Sequence, residues 1–368
     1  MSTNFDGNAD FAGSFKQDFE KLKKETQKVS ILVVGGTGTG KSTLVNIVFK
    51  RKIAEAGAGR PITKGINGYE NDYLHIYDSE GYESGSANQE RYAKIVEDFL
   101  KKQNNNVRTA IHLCWYCVSA PSARFTDCDS KFIIGMPKEI PLAIVLTKID
   151  VATEEQVEAL KASIGESCPN TPVFLSTDKE IPHDLDALDR WSRKQLPEAL
   201  RRAFISVSNR DIDAKENEGN TIVLSHAGGA FATGFTPIPF SDAPILLTNQ
   251  TVMLCRICLL WDMESLTKTL EASSSLSTVM GMIGKTIAGN ILKWIPGIGT
   301  IAGGMINGTV AAGLTYALGI AVNRLCCKIT KDRLKGVEYP LEQYLTPEFF
   351  NTLEPLFKMY GQNNKDEA

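Results

Sequence analysis

The chain has 368 residues, of which 43% are hydrophobic and 23% are charged, and its formal net charge at pH 7 is −3. This balance is ordinary for a soluble-type protein and gives no indication of a nucleic-acid partner. The opening residues MSTNFDGNADFAGSFKQDFEKLKKETQK contain no apolar core of a secretory signal, so the 8 cysteines indicate a reducing compartment. We therefore expect a cytoplasmic location.

The chain begins with a charged segment, 1–28, in which we predict an amphipathic helix at 14–28. It leads into VSILVV (29–34), an apolar, β-branched run that predicts a buried strand. The loop GGTGTGKST (35–43) follows, and STLVNIVFK (42–50) then spaces its apolar residues as a helix does. A glycine-rich loop between a strand and a helix is typical of a phosphate-binding site.

This loop fits the pattern G-x-x-x-x-G-K-[ST]. Glycines let backbone N–H groups turn toward a phosphate, and the helix N-terminus adds unpaired donors and a partial positive charge. Lys41 can reach the outer phosphates, and the Ser42 hydroxyl can ligate Mg²⁺. The loop residues that we assign to nucleotide binding are Gly35, Thr37, Gly38, Thr39, Gly40, Lys41, Ser42 and Thr43.

Strands and helices alternate from here to residue 205. We predict strands at 73–78, 108–119, 141–148 and 172–177, and helices at 88–102, 126–136, 153–164 and 184–205. Such alternation predicts the three-layer α/β fold of P-loop NTPases, with a mostly parallel sheet and ligands at the carboxyl ends of its strands. Thr153 and Gln156 predict a capping box, and Pro197 predicts a kink in the last helix.

Two further motifs lie at the ends of predicted strands. DSEG (78–81) fits D-x-x-G, in which Asp78 would hold Mg²⁺ through water and the Gly81 N–H would contact a γ-phosphate. TKID (147–150) fits [NT]-K-x-D, in which the Asp150 carboxylate can accept two hydrogen bonds from guanine. Taken alone, the first motif is also compatible with a simple turn, and the second with a helix N-cap. The other residues that we assign to nucleotide binding are Thr147, Lys148, Ser176 and Thr177.

Together these motifs resemble those of TRAFAC-type GTPases, in particular Era-like and dynamin-like domains, over residues 29–205. The TGTGKST form of the loop is also similar to that of chloroplast-import and immunity-associated GTPases. The resemblance implies GTP and GDP as ligands with Mg²⁺, and a switch I threonine that closes on the metal. Within GRPITKGI (59–66) this would be Thr63, for which a plain loop residue is the alternative. The resemblance implies catalytic roles for Lys41, Thr63 and Gly81, and metal binding by Ser42, Thr63 and Asp78.

Two positions depart from the patterns of these families. Tyr82 stands where small GTPases have the glutamine that orients water, so that role must be missing, replaced or supplied in trans. Gly38 stands where potassium-dependent relatives have asparagine, so potassium activation is not implied. We therefore expect slow intrinsic hydrolysis.

Two C-x-x-C pairs, Cys114/Cys117 and Cys255/Cys258, could each be half of a metal site. The first pair lies in a predicted strand, where its members would face opposite sides, and the second lies in a helical pattern. The pairs are also far apart in the sequence, so we favour buried thiols without a metal.

The character of the chain changes after residue 206. We predict a polar linker at 206–220, an apolar helical domain at 221–330 and a charged tail at 331–368. The apolar part resembles a poorly characterised helical domain that follows Era-like GTPase domains and is often described as membrane-associated. Its uncharged run, 294–323, is long enough to span a bilayer, although a buried helical hairpin fits the same pattern.

The sequence thus predicts a GTPase that hydrolyses GTP slowly and acts as a nucleotide-dependent switch at a membrane or a partner protein. The alternative is a membrane-remodelling or scaffold protein that assembles through its helical domain, with nucleotide binding mainly structural. The expected partners are a guanine nucleotide, a second copy or an activating protein, and a membrane in contact with 221–330.

Overall fold

The structure is a computed structural model of the chain. It describes residues 17–49, 60–63, 66–79, 86–106, 109–176, 185–233, 243–263, 308–344, 346–353 and 355–356. The chain divides into two compact units. One is Thr26–Asp211, and the other combines Met1–Glu25 with Ile212–Ala368. All the described strands belong to the first unit, and the described part of the second is built from helices.

The strands of the first unit are β1 (Val29–Gly35), β2 (Arg60–Thr63), β3 (Ile66–Glu70), β4 (Leu74–Ser79), β5 (Leu113–Ser119), β6 (Leu142–Thr147) and β7 (Val173–Leu175). Helix α1 (residues 17–25) belongs to the second unit. The described helices of the first unit are α2 (Lys41–Phe49), α3 (Ser86–Asn104), α4 (Asp127–Gly135), α5 (Glu154–Ser167), α6 (Leu185–Gln195) and α7 (Glu198–Val207). The capping box of Thr153 and Gln156 at the start of α5 is confirmed.

The strands form one sheet in the order β2-β3-β4-β1-β5-β6-β7. From β4 to β7 every neighbouring pair is parallel, whereas β2 and β3 run antiparallel at one edge. The predicted P-loop NTPase fold with its mostly parallel sheet is confirmed. The sequence does not reveal the β2–β3 hairpin, because RPIT contains a proline and neither strand has a clear apolar alternation.

Both faces of the sheet are covered by helices. On one face Leu32 of β1 belongs to a buried apolar cluster with Val96 of α3 and with residues of α4 and α5. On the other face the Phe49 ring of α2 stacks on Trp115 at 6.0 Å and meets Phe204 of α7 edge-on at 5.7 Å. Alternate residues of the central strands therefore supply two apolar layers, as a three-layer fold requires.

Strand β5 begins at Leu113 and not at residue 108, where the sequence predicts its start. The His112 N–H donates to the Ser30 carbonyl at 2.9 Å, and the Ser30 N–H donates to His112 Nδ1, also at 2.9 Å. The imidazole thus takes the place of a strand carbonyl in the ladder with β1. Burial lowers the pKa of His112, which favours the neutral ring that this acceptor role needs.

The single helix predicted at 184–205 is two helices, α6 and α7, which end and begin on either side of Pro197. Proline has no N–H to donate to the preceding turn, and it disfavours helical backbone in the residue before it. The expected kink is therefore a complete break.

The helices of the second unit, besides α1, are α8 (Ile212–Thr233), α9 (Ala243–Leu260), α10 (Gly308–Leu334) and the short α11 (Pro347–Asn351). The linker prediction for 206–220 is wrong, because α8 begins at Ile212. The Lys215 side chain is fully buried, with its amine 5.6 Å from the ring centroid of Trp261, and Glu216 pairs with Arg324 of α10. Residues that look solvent-exposed in the sequence are buried here against partners. The charged tail predicted from 331 likewise begins inside α10.

Asn323, fully buried in α10, holds the helices of this unit together. Its Nδ2 donates to the Glu216 carbonyl and to Asn220 Oδ1, each at 2.9 Å, and Trp261 Nε1 donates to its Oδ1 at 2.7 Å. Gly219 makes room for it, because a Cβ at that position would lie 2.0 Å from Asn323 Oδ1. The close approach of α8 and α10 therefore depends on a glycine opposite an asparagine.

The four cysteines of the two C-x-x-C pairs are buried. Cys114 joins the apolar cluster under α3 and α4, whereas Cys117 lies close enough to Lys41 to interact with it electrostatically. Their predicted placement on opposite faces of the sheet is confirmed. Cys255 and Cys258 lie on α9. Among the described residues, no group of three or more histidine, cysteine or acidic side chains is arranged to hold a metal ion.

No helix within the part of the chain that the structure describes combines the length and apolar character that a membrane crossing requires. The uncharged run at 294–323 has two parts. Residues 294–307 lie outside the described residues, and residues 308–323 belong to α10. Buried positions of α10 include Ala317 and Ala321, so this part of the run contributes to a helical core.

Gly219→Ala should destabilise the helical unit by about 1–3 kcal/mol, because the new methyl group meets the Asn323 amide and overpacking carries that cost. Gly228→Ala, in the same helix, is the matched control, since a Cβ there has no atom within 4 Å. The control should be neutral or stabilising by up to about 1 kcal/mol, from helix propensity alone. Urea unfolding followed by circular dichroism measures both, and equal stabilities of the two variants would contradict the packing described.

Candidate functional site

The loop between β1 and α2 is shaped by three glycines with positive φ angles. They are 141° at Gly35, 74° at Gly38 and 84° at Gly40, values that other residues rarely adopt. A Cβ on Gly35 would also lie 2.3 Å from the Cys117 carbonyl oxygen. The Leu44 N–H donates to the Gly40 carbonyl at 2.8 Å, so the first turn of α2 closes directly on the loop. The loop is therefore the strand–loop–helix junction that the sequence predicts.

The Lys41 side chain is buried beneath this loop. Its Nζ donates to the carbonyl of Gly36 at 2.9 Å and to that of Gly35 at 3.3 Å. Burial lowers the pKa of Lys41, while the nearby Asp78 and Cys117 act in the opposite direction. The chain thus keeps a largely desolvated cation at the N-terminus of a helix, where an anionic ligand gains most.

Ser42 and Asp78 meet beside this lysine. The Ser42 hydroxyl donates to Asp78 Oδ2 at 2.6 Å, and Asp78, only 6% exposed, is the next-to-last residue of β4. Among the described residues, its buried Oδ1 has no hydrogen-bond partner. Burial raises the pKa of Asp78, against the effects of the Ser42 hydrogen bond and of Lys41. A buried, unpartnered carboxylate oxygen next to a hydroxyl suits Mg²⁺, which prefers oxygen ligands, so these residues fit the metal.

The TKID turn is tied to the phosphate loop. The Thr147 hydroxyl donates to the Thr39 carbonyl at 2.5 Å and approaches the Val118 carbonyl at 3.2 Å. The hydroxyl of Thr147, which we assign to nucleotide binding, thus holds the phosphate loop. Lys148 has a left-handed backbone with φ 58°, and its Nζ donates to the Gly38 carbonyl at 2.6 Å. Its aliphatic stem thus reaches toward the loop, beside the position that the sequence assigns to the purine.

Asp150 lies in a short 3₁₀ turn, Ile149–Val151, directly after β6. The Ile149 N–H donates to the Ser176 carbonyl at 3.2 Å, and the Ser176 N–H donates to the Leu146 carbonyl at 2.7 Å. The loops that follow β6 and β7 are therefore joined through their backbones. Ser176 itself is buried, which is consistent with a residue that supports a base-binding loop from below.

Several assigned residues have no described side chain. Gly81, Tyr82 and Thr177 lie outside the described residues. The backbone of Thr63 is in β2, where it pairs with Ile66, and its side chain lies outside the described part of the chain. Three assigned loop residues are exposed at the surface, namely Thr37, Gly38 and Thr43.

Tyr92 of α3 is a residue of this site that the sequence did not indicate. Its hydroxyl donates to the Ser79 hydroxyl at 2.6 Å and lies 3.5 Å from the Gly35 nitrogen, whose N–H points to it. It therefore links the residue after Asp78 to the phosphate loop. No short motif marks Tyr92, and the helical periodicity of α3 predicts only that it faces the core.

Comparison with known proteins identifies the family of the segment that contains this site. Residues 30–148 match the family described as 50S ribosome-binding GTPase. This segment is a TRAFAC-class GTPase domain. The match includes the phosphate loop, Asp78 and the first two residues of TKID, and the family supports GTP binding and hydrolysis by the GTPase domain. The described helices α8 to α11 lie beyond it.

Individual relatives are distant. The chain is 24% identical over 217 residues to neuronal-specific septin-3 of Bos taurus, covering 50% of this chain and 60% of the septin. It is 25% identical over 185 residues to the probable GTP-binding protein EngB of Aquifex aeolicus, covering 49% of this chain and 96% of EngB. Toc33 of Arabidopsis thaliana, solved with Mg²⁺ and GMPPNP, is 18% identical, with a TM-score of 0.32 over 46% of this chain and 79% of Toc33. The similarity to the relatives is thus confined to about half of this chain.

Lys41→Ala should weaken nucleotide binding by about a hundredfold or more, because charge-assisted hydrogen bonds to the phosphates are lost. The free protein should also lose stability, since the buried Asp78 would remain without the cation that favours its charge. Titration with a fluorescent GDP analogue and thermal melting without nucleotide measure the two effects. Lys161→Ala, which removes an exposed lysine paired with Glu158 on α5, is the control and should leave both unchanged. Full affinity in Lys41→Ala would refute the assignment of the loop.

Proposed function

We propose that the protein binds GTP and GDP with Mg²⁺, hydrolyses GTP slowly and uses the difference between the two states as a switch. The observation that carries this proposal is the grouping of Lys41, Ser42 and Asp78 at the carboxyl ends of β1 and β4, under a loop of glycines with positive φ angles. Lys41 would hold the outer phosphates, and Ser42 and Asp78 would hold the metal. The bound metal would supply charge neutralisation at the phosphates.

Selectivity for guanine rests on the turn after β6. Asp150 follows a lysine whose amine is anchored on the phosphate loop, so a purine placed beside that lysine would present its edge to the carboxylate. A carboxylate accepts from N1–H and the amino group of guanine, and adenine does not offer these two donors together. The backbone contact between Ile149 and Ser176 supports the turn from behind.

Asp150→Asn should weaken GDP binding by about 1.5–3 kcal/mol, the range for hydrogen bonds to a charged group, and should improve binding of xanthosine diphosphate. Asp127→Asn, at an exposed position in the first turn of α4, is the matched control and should bind GDP as the wild type does. Competition of GDP, XDP and ADP against a labelled nucleotide measures all three. Equal affinity of the wild-type chain for GDP and ADP would exclude the proposed guanine site.

Slow hydrolysis follows from the residue after the D-x-x-G glycine. Tyr82 has no side-chain amide to orient the attacking water. We therefore place the intrinsic rate of GTP hydrolysis by the protein at no more than roughly 10⁻² s⁻¹. The missing group would then be supplied by a second copy of the chain or by an activating protein. A rate that rises with protein concentration would indicate the former.

The switch would act on a membrane or a partner protein through the helical unit, and we place the protein in the cytoplasm with a peripheral membrane contact. What supports this is the apolar sequence of 221–330 and its covalent continuity with the GTPase domain.

The second candidate function is a scaffold in which nucleotide binding is mainly structural. The buried hydrogen bonds of Asn323 favour it, because they show that α8 and α10 form a specific helical core of their own.

Nucleotide state should change the fraction of the full chain that sediments with vesicles of phosphatidylcholine and phosphatidylserine. The reason is that a ligand shifts only those equilibria whose two states it binds differently. Samples with GDP and with GMPPNP are compared, and Lys41→Ala, which should not respond to nucleotide, is the control. Equal sedimentation in both nucleotide states would favour the scaffold function. No sedimentation in either state would indicate that the helical unit binds a protein and not a membrane.

A further inference from the structure

An arginine from far along the chain caps the C-terminal end of α2, the helix that begins at the phosphate loop. The last four carbonyl groups of a helix lack partners within the helix, and the last turn of α2 contains no basic residue of its own. Arg210 provides both a hydrogen-bond donor and a positive charge at this helix end, because its Nη2 donates to the Ile47 carbonyl at 3.0 Å. A cation at this position also complements the negative end of the helix dipole.

Arg210 is held in place by its own surroundings. Its Nη1 donates to Asp186 Oδ1 of α6 at 3.1 Å, its side chain is 9% exposed, and its backbone N–H lies 3.4 Å from the Ser208 hydroxyl oxygen. Ser208 in turn donates to the buried Asp189. The guanidinium therefore has little freedom to leave Ile47 unless the segment 208–211 moves.

A second arginine fixes the other end of this segment. Arg193 of α6 pairs with Asp189 at 2.8 Å and with Asp211 at 2.6 Å. The residue after Asp211 is Ile212, the first residue of α8. The segment 208–211 is thus the last part of the GTPase domain, is anchored by two arginines, and continues directly into the helical unit.

The end of α2 is also held by apolar packing. Phe49, its last residue, meets Phe204 of α7 at a centroid distance of 5.7 Å, and both side chains are fully buried. One end of this 9-residue helix therefore carries Lys41 and Ser42, and the other end rests on the last elements of the domain. At 1.5 Å per residue the two ends are only about 13 Å apart, so a displacement at one end reaches the other.

We propose that Arg210 is a positioning residue for the nucleotide site, and that its contact with Ile47 slows nucleotide release. Withdrawal of Arg210 removes its cation and its hydrogen bond from the end of α2, which loosens the helix that supports the phosphate loop. A partner that pulls on α8 would withdraw Arg210 and so accelerate exchange of GDP. This inference rests on the proposed function, since it presupposes that the loop holds a nucleotide.

The test is the dissociation rate of a fluorescent GDP analogue from the full chain with Mg²⁺, chased with excess unlabelled GDP. Arg210→Ala should release the analogue at least about fivefold faster than the wild type, the lower end of typical coupling between sites. Arg202→Ala, which removes an exposed arginine paired with Glu198 on α7, is the matched control and should stay within about twofold. Arg210→Lys should also accelerate release, because one amine cannot contact both Asp186 and Ile47 as the guanidinium does.

The rate separates positioning from a general loss of stability. Measured well below the melting temperature of each variant, a merely structural role of Arg210 would lower that temperature and leave the release rate unchanged. Release from Arg210→Ala less than fivefold faster than wild type, or equal acceleration in Arg202→Ala, overturns the inference. If Arg210→Ala does not fold, the same criterion of acceleration over wild type and Arg202→Ala applies to Arg210→Lys. Failure of the wild-type chain to bind the analogue would instead overturn the proposed function.

Discussion

The GTPase domain is organised around an ammonium group and a carboxylate that are both buried at the carboxyl end of two adjacent parallel strands. Burial lowers the pKa of Lys41 and raises that of Asp78, so it disfavours the charged form of each. The Ser42 hydrogen bond and the attraction between the two charges offset only part of this cost. Phosphates and a metal would complete the compensation. The free protein therefore holds its site in a state that is less favourable than the liganded one, and ligand binding should stabilise the domain through mass action.

The sheet brings the parts of the site together, and this is why so much of the site could be predicted. Parallel strands end at the same edge, so motifs that follow predicted strands must meet there. Lys41, Asp78 and Asp150 were found in this way, from local patterns of glycine, lysine and carboxylate that need no knowledge of distant contacts. The positive φ angles of Gly35 and Gly40 show that the backbone conformation favours glycine at both positions, and at Gly35 the nearby Cys117 carbonyl also leaves no space for a Cβ.

What the sequence did not reveal depends on partners far away in the chain. Thr147 belongs to a nucleotide-binding motif, but the motif does not show that its hydroxyl donates to the Thr39 carbonyl, 108 positions earlier. Lys215 and Glu216 look like linker residues, because nothing nearby shows that Trp261 and Arg324 will cover them. Tertiary contacts of this kind override local composition. The parallel strands of the GTPase domain were therefore predictable, whereas the β2–β3 hairpin and the junction with α8 were not.

The edges of the sheet have a consequence for how the GTPase domain can associate. Within the described residues, the two edge strands of the sheet are β2, which is 4 residues long, and β7, which is 3 residues long. Pro61 in β2 has no N–H to offer an incoming strand. Short edges and an edge proline discourage the addition of a further strand, which protects the domain from strand-mediated aggregation. Any ordered assembly of this domain should therefore use side-chain surfaces and leave the backbone ladder closed.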